Sequence, residues 1–203
     1  MTLLVAAAAS EGVVLAADSL VNVIVRRHTG ESRSAARGEK LFQVFGDYGL
    51  ASSGQNDQPP PVPDRVRSLA FWTKRGPPTN FDDVLRAVRE YFTAMSDVTL
   101  LLAGVDRDRP RIERMKAGTS WELTSVLDVG GWWFEPQWPI LQAIQRERIF
   151  DPACDLTTAE RFCRDVIKEA IGRFKAQGDP MTIDEPIDVF VRRVGEPGTF
   201  CRG

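Results

Sequence analysis

Two almost wholly apolar runs near the start of the chain constrain its fold more than any other feature. The first covers residues 3–8 and the second 13–17, and Ser10-Glu11-Gly12 predicts a tight turn between them. Because apolar residues stand at nearly every position, both faces of both strands need to be covered by other parts of the chain. The two runs therefore predict a hairpin buried inside a layered fold.

Strands and helices are segregated along the rest of the chain instead of alternating. Extended segments are predicted over 21–25, 40–44, 48–52, 98–105, 112–116, 121–126 and 187–194, and helices over 64–74, 80–95, 136–150 and 158–176. The polar stretch 26–38 predicts a loop, and the prolines at 59–61 and 63 predict an extended segment. This order favours an α+β fold with two facing sheets and helices outside, in one domain over residues 1–203.

Composition limits the partners and the chemistry. A net charge of −2 over 203 residues argues against a nucleic-acid or anionic-membrane surface. No apolar run approaches the roughly 20 residues that span a bilayer. His28 is the one histidine, so a multi-histidine zinc site is excluded, and neither a CxxC pair nor a phosphate-binding loop occurs. Three cysteines without paired spacing favour a reduced, cytoplasmic chain, and we expect no cofactor or metal.

The second residue is the first candidate for catalysis. If Met1 is removed, Thr2 carries both a hydroxyl, which is a nucleophile, and a free α-amine, which is a general base. An α-amine titrates at roughly 7.7–8.0, so it can accept the hydroxyl proton near neutral pH. Threonine is common at this position, so the residues that follow it decide whether Thr2 is interpreted as catalytic.

Six segments of the chain carry a resemblance to a known family: Thr2-Leu3-Leu4-Val5, 12–19, Glu39-Lys40-Leu41-Phe42, 50–54, 100–106 and 187–191. These segments resemble proteasome β-type subunits, in the order of that family. The resemblance covers most of the chain and includes the bacterial HslV peptidase and the proteasome-like Anbu and β-proteobacterial homologue proteins as relatives. On this basis we expect an HslV-like N-terminal threonine hydrolase.

The resemblance implies a four-layer αββα sandwich of the N-terminal nucleophile hydrolase type, assembled into a ring. It implies that Thr2 attacks peptide bonds, that Asp18 is its acidic partner and that Lys40 is the catalytic lysine. The Lys40 ammonium would lower the pKa of the α-amine, and Asp18 would keep Lys40 charged and oriented. The backbone N–H of Gly54 would stabilise the oxyanion, although Gly54 is also explained by a positive φ alone.

Further site residues and partners follow from the same resemblance. Asp179 and Thr182 match an Asp-x-x-Ser motif with threonine in place of serine, although a helix-ending turn explains this stretch equally well. The implied partners are a peptide or unfolded protein and an ATP-dependent unfoldase. The family's specificity pocket would fall at Val21, Phe42, Ser52 and Asn56.

The chain departs from the family at one mid-chain position. The family has a serine before a glycine there, whereas this chain reads Asp128-Val129-Gly130-Gly131. Two alternatives therefore remain open: a weak or inactive ring or scaffold subunit, and an N-terminal nucleophile amidase that acts on a small molecule. The neighbouring aromatic residues Trp132-Trp133-Phe134 and Trp138 are interpreted either as core or as a subunit contact.

Overall fold

The structure is a computed structural model that describes residues 2–27, 30–54, 60–72, 76–93, 95–116, 122–127, 131–178 and 183–203, with the backbone alone at 21–27, 30–35, 70–72 and 122–127. Its strands are β1 Leu4–Ala9, β2 Gly12–Asp18, β3 Leu20–Arg27, β4 Gly30–Arg37, β5 Leu41–Val44, β6 Tyr48–Gly54, β7 Val98–Asp106, β8 Arg109–Lys116, β9 Glu122–Leu127, β10 Gly131–Glu135, β11 Ile187–Arg193 and β12 Thr199–Cys201. Its helices are α1 Val62–Trp72, α2 Phe81–Tyr91, α3 Pro139–Glu147 and α4 Leu156–Ala176.

Two five-stranded antiparallel sheets form the body of this α+β fold. The first has the order β10-β1-β2-β11-β12, which places the apolar N-terminal hairpin inside the sheet, as its sequence predicts. Its register pairs Leu4 with Ala17 and Asp18 with Ile187. The second sheet has the order β5-β6-β7-β8-β9 and is a simple meander. The end of β2 therefore lies in the first sheet, whereas the start of β5 lies in the second.

Three apolar clusters account for the buried faces. One joins the first sheet to α3 and α4, and another joins the second sheet to α1 and α2. The third is built from both sheets without any helix and includes Leu15, Leu101 and Phe190. Along β1, side chains alternate between the first and third clusters, which is why nearly every position of that strand is apolar.

A hairpin that belongs to neither sheet leaves the body after Asp18. We call it the arm, residues 20–37, which comprises β3 and β4 with Leu20 opposite Arg37 at the base and Arg27 opposite Gly30 at the far end. The two strands contact each other along their length, and neither packs extensively on any other described helix or strand. The prediction of a loop over 26–38 was therefore wrong, because pairing with the β-branched strand β3 supplies the partners that the polar composition does not signal.

One other expectation needs correction, one interpretation is confirmed, and one strand was not anticipated. Helix α1 begins at Val62, with Pro63 in its first turn, so the predicted extended stretch ends earlier than expected; a proline is tolerated there because that N–H has no partner within the helix. Strand β10 contains Trp132, Trp133 and Phe134, and Trp132 and Phe134 are buried in the first cluster. Trp133 packs against the third cluster and Trp138 against the first, so the interpretation of these aromatic residues as core is confirmed. The short strand β12 after the predicted last strand was not anticipated.

Candidate functional site

The carboxylate of Asp18 is the centre of the candidate site. Asp18 is the last residue of β2 and its side chain is fully buried. Its Oδ1 accepts the backbone N–H of Leu3 at 2.5 Å, and its Oδ2 accepts Lys40 Nζ at 2.9 Å. One carboxylate therefore joins the residue that follows Thr2 to the ammonium group of Lys40.

The second member of the site is Lys40, which directly precedes β5 in the other sheet. It is 1% exposed, and its ammonium also donates to the carbonyl oxygen of Leu20. Burial lowers the pKa of Lys40 because desolvation disfavours its charge, and the Asp18 carboxylate opposes this effect. Burial likewise raises the pKa of Asp18, opposed by Lys40 and by two backbone N–H groups. Each group thus depends on the other to remain charged in the interior.

Thr2 lies where the two sheets face each other. It is buried and stands immediately before β1, and Leu4 and Ala6, which follow at two-residue intervals, pack in the cluster between the sheets. The strand period places position 2 in line with these two residues. Met1 lies outside the described residues, so the predicted removal of Met1 stays a prediction.

Gly54 is the last residue of β6 and lies two residues after Ser52, which binds the backbone of Lys40. Ser52 donates its N–H to the carbonyl oxygen of Lys40 at 2.8 Å, which fixes β6 beside the lysine. Gly54 has φ of 100°, and a Cβ added there would come within 2.0 Å of the Asp97 carbonyl oxygen. The backbone therefore requires glycine for conformational reasons alone, and the oxyanion role of Gly54 stays a prediction.

The other predicted site residues fall in different places. Asp179, Thr182 and Asn56 lie outside the described residues, as does the side chain of Val21. Phe42 packs in the cluster with α1 and α2. Ser52 is fully buried, and its hydroxyl has no hydrogen-bond partner among the residues that the structure describes. The substrate-binding role of the four predicted pocket residues, Val21, Phe42, Ser52 and Asn56, therefore stays a prediction.

Sequence reasoning missed two contributors next to Asp18. Leu20, the first residue of the arm, donates its N–H to Asp18 Oδ2 at 3.2 Å and accepts a hydrogen bond from Lys40, so it holds both charged groups through its backbone. Ser19 donates its hydroxyl to the carbonyl oxygen of Pro186 at 2.9 Å, which ties the start of the arm to the segment before β11. The residue type of Leu20 gives no indication of its backbone contacts. The hydroxyl of Ser19 next to Asp18 is a weak indication of a site residue.

A second ion pair bridges the sheets close to Thr2. Arg114 of β8 reaches Glu135 of β10, with Arg114 Nε and Glu135 Oε2 3.1 Å apart. Glu135 stands opposite Leu4 in the register of β1 and β10. The pair therefore lies beside Leu4, two residues after Thr2, and no sequence motif indicated it.

The described part of the chain lacks the features of two other classes of site. No group of three or more His, Cys, Asp or Glu side chains could hold a metal ion within the described ranges. Among the helices that the structure describes, none is long and apolar enough to cross a membrane. Cys154, Cys163 and Cys201 are all free thiols.

The class of structure is defined by the fold, an α+β arrangement with two antiparallel five-stranded sheets. No protein-family model and no curated protein sequence matches the chain. Among solved structures, the fold is similar to Anbu from Hyphomicrobium sp. strain MC1, with a TM-score of 0.67 at 16% identity over 98% of this chain and 86% of that one. A (Gly-1) mutant of that protein gives a TM-score of 0.69 at 18% identity over 100% and 86%.

A third similar structure is titled as the helical assembly of the Anbu complex from Pseudomonas aeruginosa, with a TM-score of 0.67 at 14% identity over 98% of this chain and 86% of that one. These neighbours correct the predicted family. Anbu proteins are proteasome-like but form a family distinct from HslV, so the HslV-like assignment was wrong. At such low identity the likeness shows the fold alone.

Proposed function

We propose that the chain is an N-terminal threonine hydrolase of the proteasome-like fold that cuts peptide bonds with Thr2 after Met1 is removed. The observation that carries the proposal is the buried Asp18 carboxylate, which binds both Lys40 Nζ and the N–H of Leu3. The three apolar clusters support a four-layer αββα sandwich of the N-terminal nucleophile type, and we treat residues 1–203 as one domain.

The chemistry follows from the position of Thr2. The α-amine accepts the hydroxyl proton as Oγ1 attacks the carbonyl carbon of the peptide bond, and the developing oxyanion is stabilised by a backbone N–H such as that of Gly54. The amine product leaves with the proton, and an ester links the acyl group to Thr2. Water then hydrolyses the ester with the same α-amine as base. The positive charge of Lys40 would lower the pKa of the amine, which favours its unprotonated form.

The partners are proposed on the same basis. A structure neighbour forms a helical assembly, which supports a homo-oligomer, whether ring or helix, for this chain. The substrate is a peptide or an unfolded protein, and a cytoplasmic ATP-dependent unfoldase would deliver folded substrates. The remaining proposed residues, Asp179 and Thr182, would support Thr2 from the segment before β11.

The test combines a nucleophile variant with a mass measurement. Thr2→Ala removes the hydroxyl and should lower turnover of fluorogenic peptides by about 10³-fold or more, whereas Thr2→Ser should retain part of it. Thr157→Ala, an exposed threonine in the first turn of α4, is the matched control and should keep wild-type turnover. Full activity of Thr2→Ala, or an intact Met1 on active protein by mass spectrometry, would sink the proposal.

A second function is favoured by one specific observation. The mid-chain serine of the family is replaced by the sequence Asp128-Val129-Gly130. An inactive or weak proteasome-like scaffold subunit fits this change, and it predicts no burst of acyl-enzyme with any peptide ester while the oligomer forms normally.

A further inference from the structure

An ion pair crosses from one sheet to the other on each side of the start of β1. Strand β1 lies between β10 and β2 in the first sheet. On the side of β2, the Asp18 carboxylate binds Lys40, which directly precedes β5 of the second sheet. On the side of β10, Glu135 binds Arg114 of β8, with Glu135 Oε2 and Arg114 Nε 3.1 Å apart. Thr2 stands immediately before β1 and therefore lies between the two pairs.

The pair of Arg114 and Glu135 lies between the sheets. Glu135 stands opposite Leu4 in the register of β1 and β10, and Arg114 stands opposite Leu101 in that of β7 and β8. Leu4 and Leu101 both pack in the third cluster, so the charged residues opposite them are on the inner faces of their sheets. The side chains of Arg114 and Glu135 are 18% and 9% exposed, and a second contact joins Arg114 Nη2 to Glu135 Oε1 at 3.5 Å. Two contacts between a guanidinium and a carboxylate favour a single geometry.

Thr2 is near enough to this pair to be influenced by its charges. The carbonyl oxygen of Leu3 accepts the N–H of Asp18, so the pairing of β1 with β2 extends to the residue after Thr2. A strand rises about 3.3 Å per residue and neighbouring strands lie about 4.8 Å apart, which puts the backbone of Thr2 about 8 Å from that of Glu135. At this distance one unpaired charge shifts the titration of an amine, whereas two adjacent opposite charges largely cancel.

We propose that Arg114 and Glu135 form a second positioning pair for Thr2. The pair ties β10 to β8 on one side of the start of β1, and Asp18 with Lys40 ties the two sheets on the other side, so the gap that Thr2 faces keeps a constant width. Because its two charges are adjacent and opposite, the pair leaves the α-amine of Thr2 under the influence of Lys40. This inference rests on the proposed function and adds two residues that act through the position and the charge of Thr2.

The first experiment separates the two charges in protein that begins at Thr2 by mass spectrometry. Arg114→Met leaves the Glu135 carboxylate unpaired, which stabilises the protonated α-amine and should move the acid limb of the pH profile of kcat/KM up by about 0.5 pH unit. Glu135→Gln leaves the guanidinium unpaired and should move this limb down by a similar amount. The double variant should titrate like the wild type. The variants leave unchanged the other described charged groups that the strands around β1 place at this end of the sheets: Asp18, Lys40, Asp188 and Lys116.

The amine is also titrated without turnover. Thr2→Ala keeps the α-amine and lacks the hydroxyl, so the pH dependence of its acetylation by acetic anhydride, followed on the N-terminal peptide by mass spectrometry, reports the amine alone. Combined with Thr2→Ala, the single changes at Arg114 and Glu135 should give the same two opposite shifts. If Thr2→Ala retains full turnover, the proposed function fails, and this titration still tests the pair.

The double variant Arg114→Met with Glu135→Gln tests the positioning role. It buries no unpaired charge and should therefore fold, which circular dichroism checks. Without the tie between β10 and β8, its kcat should fall about tenfold or more while its KM stays within about threefold of the wild type. Arg114→Lys keeps the positive charge, so it should recover part of the lost kcat and leave the acid limb in place.

A matched control uses an ion pair outside the gap. Arg148 at the end of α3 and Glu169 of α4 are both partly buried, with Nε and Oε2 2.6 Å apart. Arg148→Met with Glu169→Gln should keep the wild-type kcat, KM and pH profile. The proposal is overturned if neither single variant at Arg114 or Glu135 moves the titration of the amine, if both move it in the same direction, or if the folded double variant keeps the wild-type kcat.

Discussion

At the scale of single residues, the buried pair of Asp18 and Lys40 determines most of what the candidate site can do. The two side chains are 0% and 1% exposed, and they are 2.9 Å apart. Removing one partner of a buried pair leaves an uncompensated charge, whereas removing both leaves none. The pair is therefore expected to show strong energetic coupling as well as a role in catalysis.

We predict that Lys40→Met lowers the free energy of unfolding by about 3–5 kcal/mol, because Asp18 then loses its counter-charge in the interior. Asp18→Asn combined with Lys40→Met should cost less than the sum of the two single changes. Urea denaturation of the four proteins in the double-mutant cycle measures this. A coupling energy below about 0.5 kcal/mol would show that the two groups act independently.

At the scale of secondary-structure elements, α4 begins with a side-chain cap. Asp155 accepts the backbone N–H of Thr158 at 2.6 Å, and this hydrogen bond holds the pKa of Asp155 below its ordinary value. A lowered pKa means that the stabilisation is complete above the unfolded value, near 3.9, and is lost as the pH falls through the lower folded value.

We predict that Asp155→Asn, which keeps an acceptor but cannot titrate, loses less thermal stability than the wild type between pH 5 and pH 2. Asp155→Ala removes the cap and should unfold at a lower temperature than both at neutral pH. Circular dichroism melts across this pH range measure the difference. Parallel pH profiles for wild type and Asp155→Asn would contradict the role of the carboxylate.

The elements that the sequence predicts well are those with a strong local signal. The apolar hairpin of β1 and β2, the capped helix α2 and the apolar stripe of α4 all carry their pattern within one segment. Strand β4 is polar, β10 is short and aromatic, and β12 has three residues, so each depends on its partner strand instead. The site shows the same division, since Asp18 and Lys40 were indicated by residue type and Leu20 acts only through its backbone.

At the scale of the whole molecule, the third cluster holds the two sheets together, because it takes buried side chains from both of them. Phe190 of β11 is fully buried there, and its ring lies against Gly49 and Gly198, where an added Cβ would come within 2.4 Å and 2.6 Å. Glycine at these two positions permits the close approach. We therefore expect the sheets to unfold together, as one domain.

We predict that Phe190→Ala lowers the free energy of unfolding by about 3–5 kcal/mol, because it leaves a cavity between the sheets. Ile149→Ala is the matched control: that side chain is 93% exposed, and its loss should change stability by less than about 0.5 kcal/mol. Differential scanning calorimetry should show one transition for each protein. Two separate transitions in Phe190→Ala would mean that the sheets are independent units.

The three cysteines give the molecule a set of built-in labels. Cys163 is enclosed in the first cluster, and burial raises the pKa of its thiol, so a maleimide dye reaches it only when the core opens. Cys201 is exposed on β12, and the residue two positions further on, Gly203, accepts a hydrogen bond from Arg37 at the base of the arm. Cys154 is half-buried, so once it is replaced by serine a fluorophore on Cys201 reports from the base of the arm.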